Sequence, residues 1–255
     1  MSSGEVHALT VVVPTYNEGA NLLVLFREFA KLRGTWQVPF ELLVVDDDSP
    51  DGTAALAHSL GERLGIPTRV VIRRPPRSLG GAIIDGLRES GTDLVAVMDA
   101  DLSHPPFLLP LMLEQLNGFD GVVASRYMSG GRIIHWPLYR RVISLGATAM
   151  AHRIVRTPCS DPLSGFFVFR PAALQGVRIS GTGHKPLFEV LAHRALTICE
   201  VPYVFRNREN GTSKLGGRGI LDYLRLTMRL WHDREPLGDP AGAARKHVRA
   251  THRDP

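Results

Sequence analysis

Asp99-Ala-Asp101 closes a strand-like apolar run, Leu94-Val-Ala-Val-Met98. Two carboxylates at i and i+2 beyond such a run can turn toward one loop volume. Oxygen ligands at an open strand end suit a hard divalent cation that keeps coordination positions for phosphate oxygens. A cation held there would neutralise the diphosphate of a nucleotide leaving group. The same spacing is also that of a plain solvated turn, so the reading rests on what the rest of the chain brings to the site.

Asp46, Asp47 and Asp48 follow a second apolar run. Adjacent like charges are costly without compensation. One of these carboxylates could accept from a nucleobase N–H; for Asp48 and Asp51 a capped turn before a helix is the simpler reading. Arg140 and Ser144 are four apart and share a helix face just after Pro137. With Arg126 they could clamp a phosphate, because a guanidinium matches phosphate oxygens in fork geometry; ordinary surface arginines would look the same. Arg208, Ser213 and Lys214 lie among glycine and asparagine in Asn207–Leu215, a basic loop able to close over a leaving group. Asp161 could be a general base or could start a turn. Lys185 and Glu189 have the i, i+4 spacing of an exposed ion pair, although Lys185 could instead reach a phosphate. His104 and His184 are candidates by position, and Phe166-Phe167 reads as core.

The elements that must position these groups alternate. Leu9–Val13, Leu42–Val45, Arg69–Ile72 and Leu94–Met98 read as strands. Helical spacing fills the gaps: Asn21–Leu32, then a helix capped by Asp51 or Thr53 and running to about Leu64, then Leu79–Ser90. Strand–helix–strand order predicts right-handed crossovers and a mainly parallel sheet flanked by helices, an α/β fold. Ligands then bind beyond the carboxyl ends of the strands, where Asn17, Glu18, Asp46, Asp47, Asp99 and Asp101 fall. The first strand leads to Pro14-Thr-Tyr-Asn-Glu18 rather than a G-x-G-x-x-G turn, and no Walker A loop follows. Further strands are expected at Asp120–Ala124, Gly165–Arg170 and Thr197–Phe205, with helices from Pro137 to about Val155 and over Pro186–Leu196. Arg218, Asp222, Arg225 and Arg229 form one polar stripe of a last helix, about 217–231, whose remaining arc is apolar. It either packs into the domain or lies in a membrane interface. One domain is expected over 1–232, with 233–255 a polar, disordered tail.

Among 255 residues, 44% are hydrophobic, which fits an ordinary buried core. A net charge of +5 favours anionic partners such as nucleotide diphosphates, lipid phosphates or an acidic membrane face. No zinc-finger spacing or RNP-like aromatic run supports a nucleic-acid partner. Cys159 and Cys199 stand alone, as expected of a reduced cytoplasmic protein. No apolar run approaches the roughly 18 residues that span a bilayer, and the N-terminus shows no signal-peptide pattern.

Taken in order, Pro14-Thr-Tyr-Asn-Glu18, Asp46-Asp-Asp-Ser-Pro-Asp-Gly-Thr53, Met98-Asp-Ala-Asp-Leu-Ser-His104, Ser125-Arg-Tyr127, Gly130-Gly131 with Trp136-Pro-Leu-Tyr-Arg140, Ser160-Asp-Pro-Leu-Ser-Gly-Phe-Phe167 and Gly211-Thr-Ser-Lys-Leu215 resemble the family 2 glycosyltransferases of GT-A fold. Within these they are similar to the polyprenol (dolichol) monophosphate mannose synthases. The resemblance runs from about residue 8 to 232. It implies an inverting transfer of a hexose, with GDP-mannose the favoured nucleotide-sugar donor, to a polyprenyl phosphate acceptor, with Mg²⁺ or Mn²⁺ as cofactor. It places the metal on Asp99, Asp101 and Ser103. Pro14, Tyr16, Glu18, Asp47, Asp99, Ala100, Asp101, Arg208 and Lys214 match the nucleotide-sugar pocket, Arg126, Arg140 and Ser144 the acceptor-phosphate site, and Asp101, Arg126, Arg140, Ser144 and Asp161 the catalytic group. One position departs: Ser103 stands where the nearest patterns carry Gln, so water is expected to fill that coordination position. Some relatives of this pattern also have C-terminal transmembrane helices; without them this chain is expected to meet its lipid peripherally, on the cytoplasmic face, with Arg218–Trp231 the candidate contact.

Overall fold

The computed structural model describes residues 8–155, 158–177, 179–180, 185–206 and 217–233. His184, Arg208, Lys214 and the tail from 234 onward lie outside the described residues. The elements run β1 (Leu9–Thr15), α1 (Gly19–Thr35), β2 (Phe40–Asp46), α2 (Thr53–Leu64), β3 (Thr68–Ile72), α3 (Leu79–Glu89), β4 (Leu94–Val97), α4 (Leu109–Glu114), β5 (Gly121–Ser125), β6 (Arg132–Ile133), α5 (Leu138–His152), β7 (Phe167–Phe169), α6 (Pro171–Leu174), α7 (Pro186–His193), β8 (Ile198–Pro202), β9 (Val204–Phe205) and α8 (Gly217–His232).

Seven strands form one sheet in the order β3-β2-β1-β4-β7-β5-β8. Only β7 runs against its neighbours, pairing Phe167 with both Val97 and Val123. β1 is buried along its whole length because it lies between β2 and β4 with helices on both faces, the setting in which strands read as continuous apolar runs. Alternation then divides its side chains. Leu9, Val11 and Val13 join Leu22, Phe26 and Phe29 of α1 in one layer. Val12 joins Ile83 of α3 and Phe188 of α7 in the other.

Expected and observed elements agree over the first half to within two or three residues. The second half differs in one instructive way. Thr197–Phe205, expected as one strand, divides at Pro202. The Tyr203 N–H still reaches Ser125 O at 3.2 Å, but Val204 and Phe205 leave the main sheet to pair with β6. Proline supplies no N–H to continue a ladder, so the chain changes partner there. β6, α4 and α6 are too short to show a period in the sequence.

The strand ends matter for function. β1, β2 and β4 point the same way, so the turns after Thr15, Asp46 and Val97 crowd one edge of the sheet. The turn before the antiparallel β7 reaches that edge as well, since a methyl at Gly165 would lie 3.0 Å from His104 Cε1 and 3.6 Å from Asp99 Oδ2.

Candidate active site

The acidic end is built from three turns. In the first, Asn17 adopts φ 58°, and the Asn17, Glu18 and Gly19 N–H groups donate to Ser49, Thr53 and Asp51 of the second turn. Pro14 lies in the buried strand one residue before its end at Thr15, and the half-buried Tyr16 follows beside these contacts. Asp46 is buried, accepting from Thr15 Oγ1, Ser49 N and Ser49 Oγ, each at 2.7 Å. Its role is to shape the turn. Asp47 is paired with Arg73, and its Oδ2 accepts from Ser78 N at 2.9 Å. Arg73 also reaches Asp85 at 2.7 Å. The Asp47 carboxylate therefore sits in a built ion-pair network rather than projecting alone toward a base. Arg77 lies over the Tyr16 ring, 4.7 Å from its centroid, and donates to Tyr16 Oη and to the Asp47 and Asp48 carbonyls.

The third turn carries Asp99, Ala100 and Asp101. Leu102, at φ 64°, swings the chain back so that Ser103 N and Oγ donate to Asp101 Oδ1 at 3.1 and 2.6 Å. Strained backbone of this kind collects at functional sites. Ser103 thus orients Asp101. Behind the turn, the Asp99 N–H donates to His104 Nδ1 at 2.9 Å. Burial pushes the His104 imidazole down, outweighing the pull of Asp99 and Asp101. The ring is neutral with its proton on Nε2, so its 3.8 Å approach to Asp99 Oδ2 is no ion pair.

The basic end starts where β5 stops. Arg126 donates from Nε and Nη2 to Asp161 Oδ2 and Oδ1 at 2.6 and 2.7 Å, and from its backbone N at 3.1 Å. Asp161 is 0% exposed. Burial works against the guanidinium charge, yet the adjacent Asp161 more than compensates and holds Arg126 above the ordinary arginine range. The forked edge of Arg126 is thereby turned inward, and any phosphate contact must use its outer hydrogens. Gly131 returns directly over this arginine; a methyl there would fall 2.7 Å from Arg126 C and Ser125 O. Arg140, on α5, stacks on Trp136 at 4.4 Å, and Ser144 one turn on accepts from Tyr127 Oη at 2.8 Å.

Aromatic rings tie the two ends together. Trp136 meets Phe205 at 5.3 Å, Phe205 meets His104 at 6.3 Å, and His104 stacks on Phe166 at 5.3 Å. Phe166 is wholly buried and Phe167 nearly so, as core residues.

Some roles were not visible in the sequence. Glu200, on β8, accepts from Ser160 N and Oγ at 2.8 and 2.9 Å and from Asp161 N at 3.2 Å, fixing the loop that fixes Arg126. Nothing in its neighbourhood marks it. Arg73 and Arg77 follow β3, and the rule that ligands gather past strand ends could have flagged them. Lys185 and Glu189 do not pair: Lys185 Nζ donates to Leu163 O at 3.2 Å, while the buried Glu189 accepts from Ser180 N at 2.6 Å.

A mainly parallel seven-stranded sheet with acidic turns at its carboxyl edge is the frame of a glycosyltransferase of GT-A fold. The chain belongs to glycosyl transferase family 2, whose family pattern matches residues 10–178. It is 41% identical over 228 residues to the dolichol-phosphate mannosyltransferase of Pyrococcus furiosus, covering 87% of this chain and 63% of that protein. It is 36% identical to the dolichol-phosphate mannosyltransferase of Saccharomyces cerevisiae, covering 87% of this chain and 86% of the yeast protein. Among solved structures, glucosyl-3-phosphoglycerate synthase from Mycobacterium tuberculosis, in complex with Mn²⁺, UDP-glucose and phosphoglyceric acid, superposes with a TM-score of 0.66 at 20% identity, over 90% of this chain and 81% of that one. A mannosyltransferase from Pyrobaculum calidifontis, in complex with GDP-Man and Mn²⁺, gives 0.61 at 16% identity, over 88% and 65%. At those identities the structures speak for the fold alone.

Proposed function

We propose that this chain transfers a mannosyl group from GDP-mannose to a polyprenyl (dolichyl) phosphate, inverting the anomeric centre, while seated peripherally on a membrane. The observation that carries the reading is the single sheet edge that joins the Asp99–Asp101 turn to Arg126, Arg140 and Ser144 through a continuous aromatic bridge. A donor diphosphate suits the first end and an acceptor phosphate the second. The names of the Pyrococcus and yeast relatives support the sugar and the lipid.

The donor set fits a divalent cation. Asp99 and Asp101 offer hard oxygen ligands from one turn, and Mg²⁺ or Mn²⁺ is commonly held by one or two carboxylates plus substrate phosphates. Ser103, hydrogen-bonded to Asp101, would steady that ligand. When bound, the ion would supply charge neutralisation for the departing diphosphate. The Mn²⁺ in the two superposed structures favours the same class of ion.

An acceptor phosphate oxygen would attack the anomeric carbon from the face opposite the diphosphate. The new C–O–P linkage forms as the bond to GDP breaks. The acceptor is already an anion near neutral pH, so alignment and electrostatics can carry the step without a strong base. A soluble alcohol acceptor would need that base, and the 0% exposed, Arg126-bound Asp161 is poorly placed for the task.

Membrane contact has its own support. No helix among the described residues is long and apolar enough to cross a bilayer. Yet α5 buries only Thr148 and Ala151, leaving Leu138 76% and Val142 61% exposed. On α8, Leu226 and Leu230 pack inward while Met228 and Trp231 are 62% and 56% exposed. Tyr223 Oη joins the two helices by donating to Ala147 O at 2.6 Å. That contact sets α8 beside α5, which carries Arg140 and Ser144, and the exposed apolar residues of both helices support a seat on a membrane surface. Both cysteines are free and buried, which suits the reducing cytoplasmic side.

The test is turnover of GDP-mannose, GDP-glucose and UDP sugars with Mg²⁺ or Mn²⁺, with and without a polyprenyl phosphate in detergent. Lipid-dependent GDP release from GDP-mannose, lost in EDTA and in Asp101→Ala, is expected. Donor turnover independent of lipid, or none with any donor, overturns the reading.

A further inference from the structure

Lys185 has no part in the site as built so far. It precedes α7 and is partly buried, with its ammonium turned toward the 161–165 turn. Among the described residues its hydrogen bond is to Leu163 O, two positions beyond the aspartate that holds Arg126. That turn starts at Asp161, which holds Arg126, and reaches Gly165, where a methyl would lie 3.6 Å from Asp99 Oδ2, so the ammonium stands between the basic and acidic ends.

A partly buried ammonium held by one neutral carbonyl is poorly compensated. Lysine has three N–H donors, and desolvating the charge without a counterion is costly. Aspartates are nearby, but Asp161 is engaged with Arg126 through both oxygens and Asp99 lies at the proposed donor end. An anion entering the clamp would supply the missing counterion.

The charge count agrees. Arg126 and Asp161 form a neutral pair, so Arg126 contributes little net charge to the clamp. A phosphate monoester carries close to two negative charges near neutral pH, and Lys185 sets a full positive charge beside that neutral pair.

We infer that the Lys185 ammonium leaves the Leu163 carbonyl to hydrogen-bond the phosphate of the lipid acceptor beside Arg140. This inference rests on the phosphate-acceptor reading above. Lys185 is then a substrate-binding cation that helps fix the attacking oxygen, and release from Leu163 would accompany acceptor entry.

The experiment compares wild type, Lys185→Met and Lys185→Gln. Calorimetry measures binding of citronellyl phosphate, a short water-soluble prenyl phosphate, and separately of GDP with Mn²⁺. Thermal unfolding is followed in parallel. Replacing a desolvated charge by an apolar side chain of similar length is often neutral or stabilising, so Lys185→Met is expected to melt no lower than wild type. Its affinity for citronellyl phosphate is expected to fall roughly tenfold or more, the loss of one charge-assisted contact, while GDP affinity stays within about twofold. Unchanged citronellyl phosphate affinity in both variants overturns the inference. So does a matched loss of GDP affinity, which would mark a brace for the 161–165 turn. Failure of wild type to bind citronellyl phosphate removes the acceptor reading itself, and the wild-type control separates that result from failure of the lysine alone.

Discussion

Arg126 and Asp161 face each other through two parallel hydrogen bonds of 2.6 and 2.7 Å, and the Arg126 backbone N–H adds a third at 3.1 Å. The pair is buried, and it joins the end of β5 to a loop that Glu200 holds from β8. Removing one partner strands a charge. Asp161→Ala is therefore expected to cost about 3–5 kcal/mol of stability as well as activity. A general base would behave differently, with turnover lost and the melting temperature kept. The double variant Arg126→Met, Asp161→Leu discriminates further: it is expected to recover much of the stability and none of the transfer activity. Thermal unfolding and lipid-dependent GDP release on the same samples decide the matter, and full stability in Asp161→Ala would contradict the pairing role.

A second expectation concerns His104, whose Nδ1 accepts the Asp99 N–H. His104→Leu leaves that amide without its partner, at a cost of about 1–3 kcal/mol, and frees the turn that aims Asp99. Outer hydrogen bonds of this kind typically alter metal affinity by roughly 10–100-fold. The Mn²⁺ concentration giving half-maximal activity should rise by that order in His104→Leu. His104→Asn, which keeps an acceptor near the Nδ1 position, should recover part of the loss. Equal Mn²⁺ dependence in all three proteins would separate His104 from the acidic turn.

The difference between these two residues shows what a sequence can carry. His104 lies five positions from Asp99, within one turn, and was a candidate by position. The Asp161 side chain answers to Arg126, 35 positions away, and its backbone to Glu200, 39 away. Those pairings exist only because β5, β7 and β8 lie side by side, an order that hydrophobic periodicity does not encode. The strand ends themselves were legible, because β1, β2 and β4 are buried apolar runs with acidic turns directly behind them. Spacing misled for Lys185 and Glu189. They stand i, i+4, but Lys185 precedes the first turn of α7 and extends to Leu163, while Glu189 points into the core toward Ser180. For Asp47, type and place were legible but its partner Arg73 was not, since that contact crosses from β2 to the turn after β3.

The exposed apolar face on α5 and α8 makes a third prediction. Val142 and Met228 are both more than half exposed, so Val142→Asp with Met228→Asp should shift stability by no more than about 0.5 kcal/mol per site. Each aspartate would face acyl chains and anionic headgroups in the proposed seat. Co-sedimentation with phosphatidylcholine vesicles containing phosphatidylglycerol should fall several-fold, and turnover of vesicle-borne polyprenyl phosphate with it. Turnover of citronellyl phosphate in free solution should be unaffected. Undiminished vesicle binding would direct the search for the membrane contact to another surface.

The pH dependence of acceptor binding gives a test that needs no substitution. Burial, then the like charge of Arg126, lowers the Lys185 ammonium from the ordinary 10.5 to about 8, against the opposite pull of Asp161 and Asp99; Arg140 adds to the lowering. Of the ionisable rings in the site, burial keeps His104 neutral and pushes the Tyr203 phenol up, so neither changes charge over this range. If Lys185 binds the acceptor only when charged, the free protein loses competence as pH rises past about 8. A bound phosphate raises the same pKa, so citronellyl phosphate affinity should fall toward tenfold per pH unit from about pH 8 upward. Lys185→Met should show a weak but flat profile over that range. Stability runs in the opposite direction. Between about 8 and 10.5 the native protein holds fewer protons on this lysine than the unfolded chain does, so its contribution favours folding more as pH increases. Wild type should gain melting temperature relative to Lys185→Met across that window while losing acceptor affinity. A wild-type acceptor profile that is level from pH 7 to 9.5 would remove Lys185 from the acceptor site whatever the variants show.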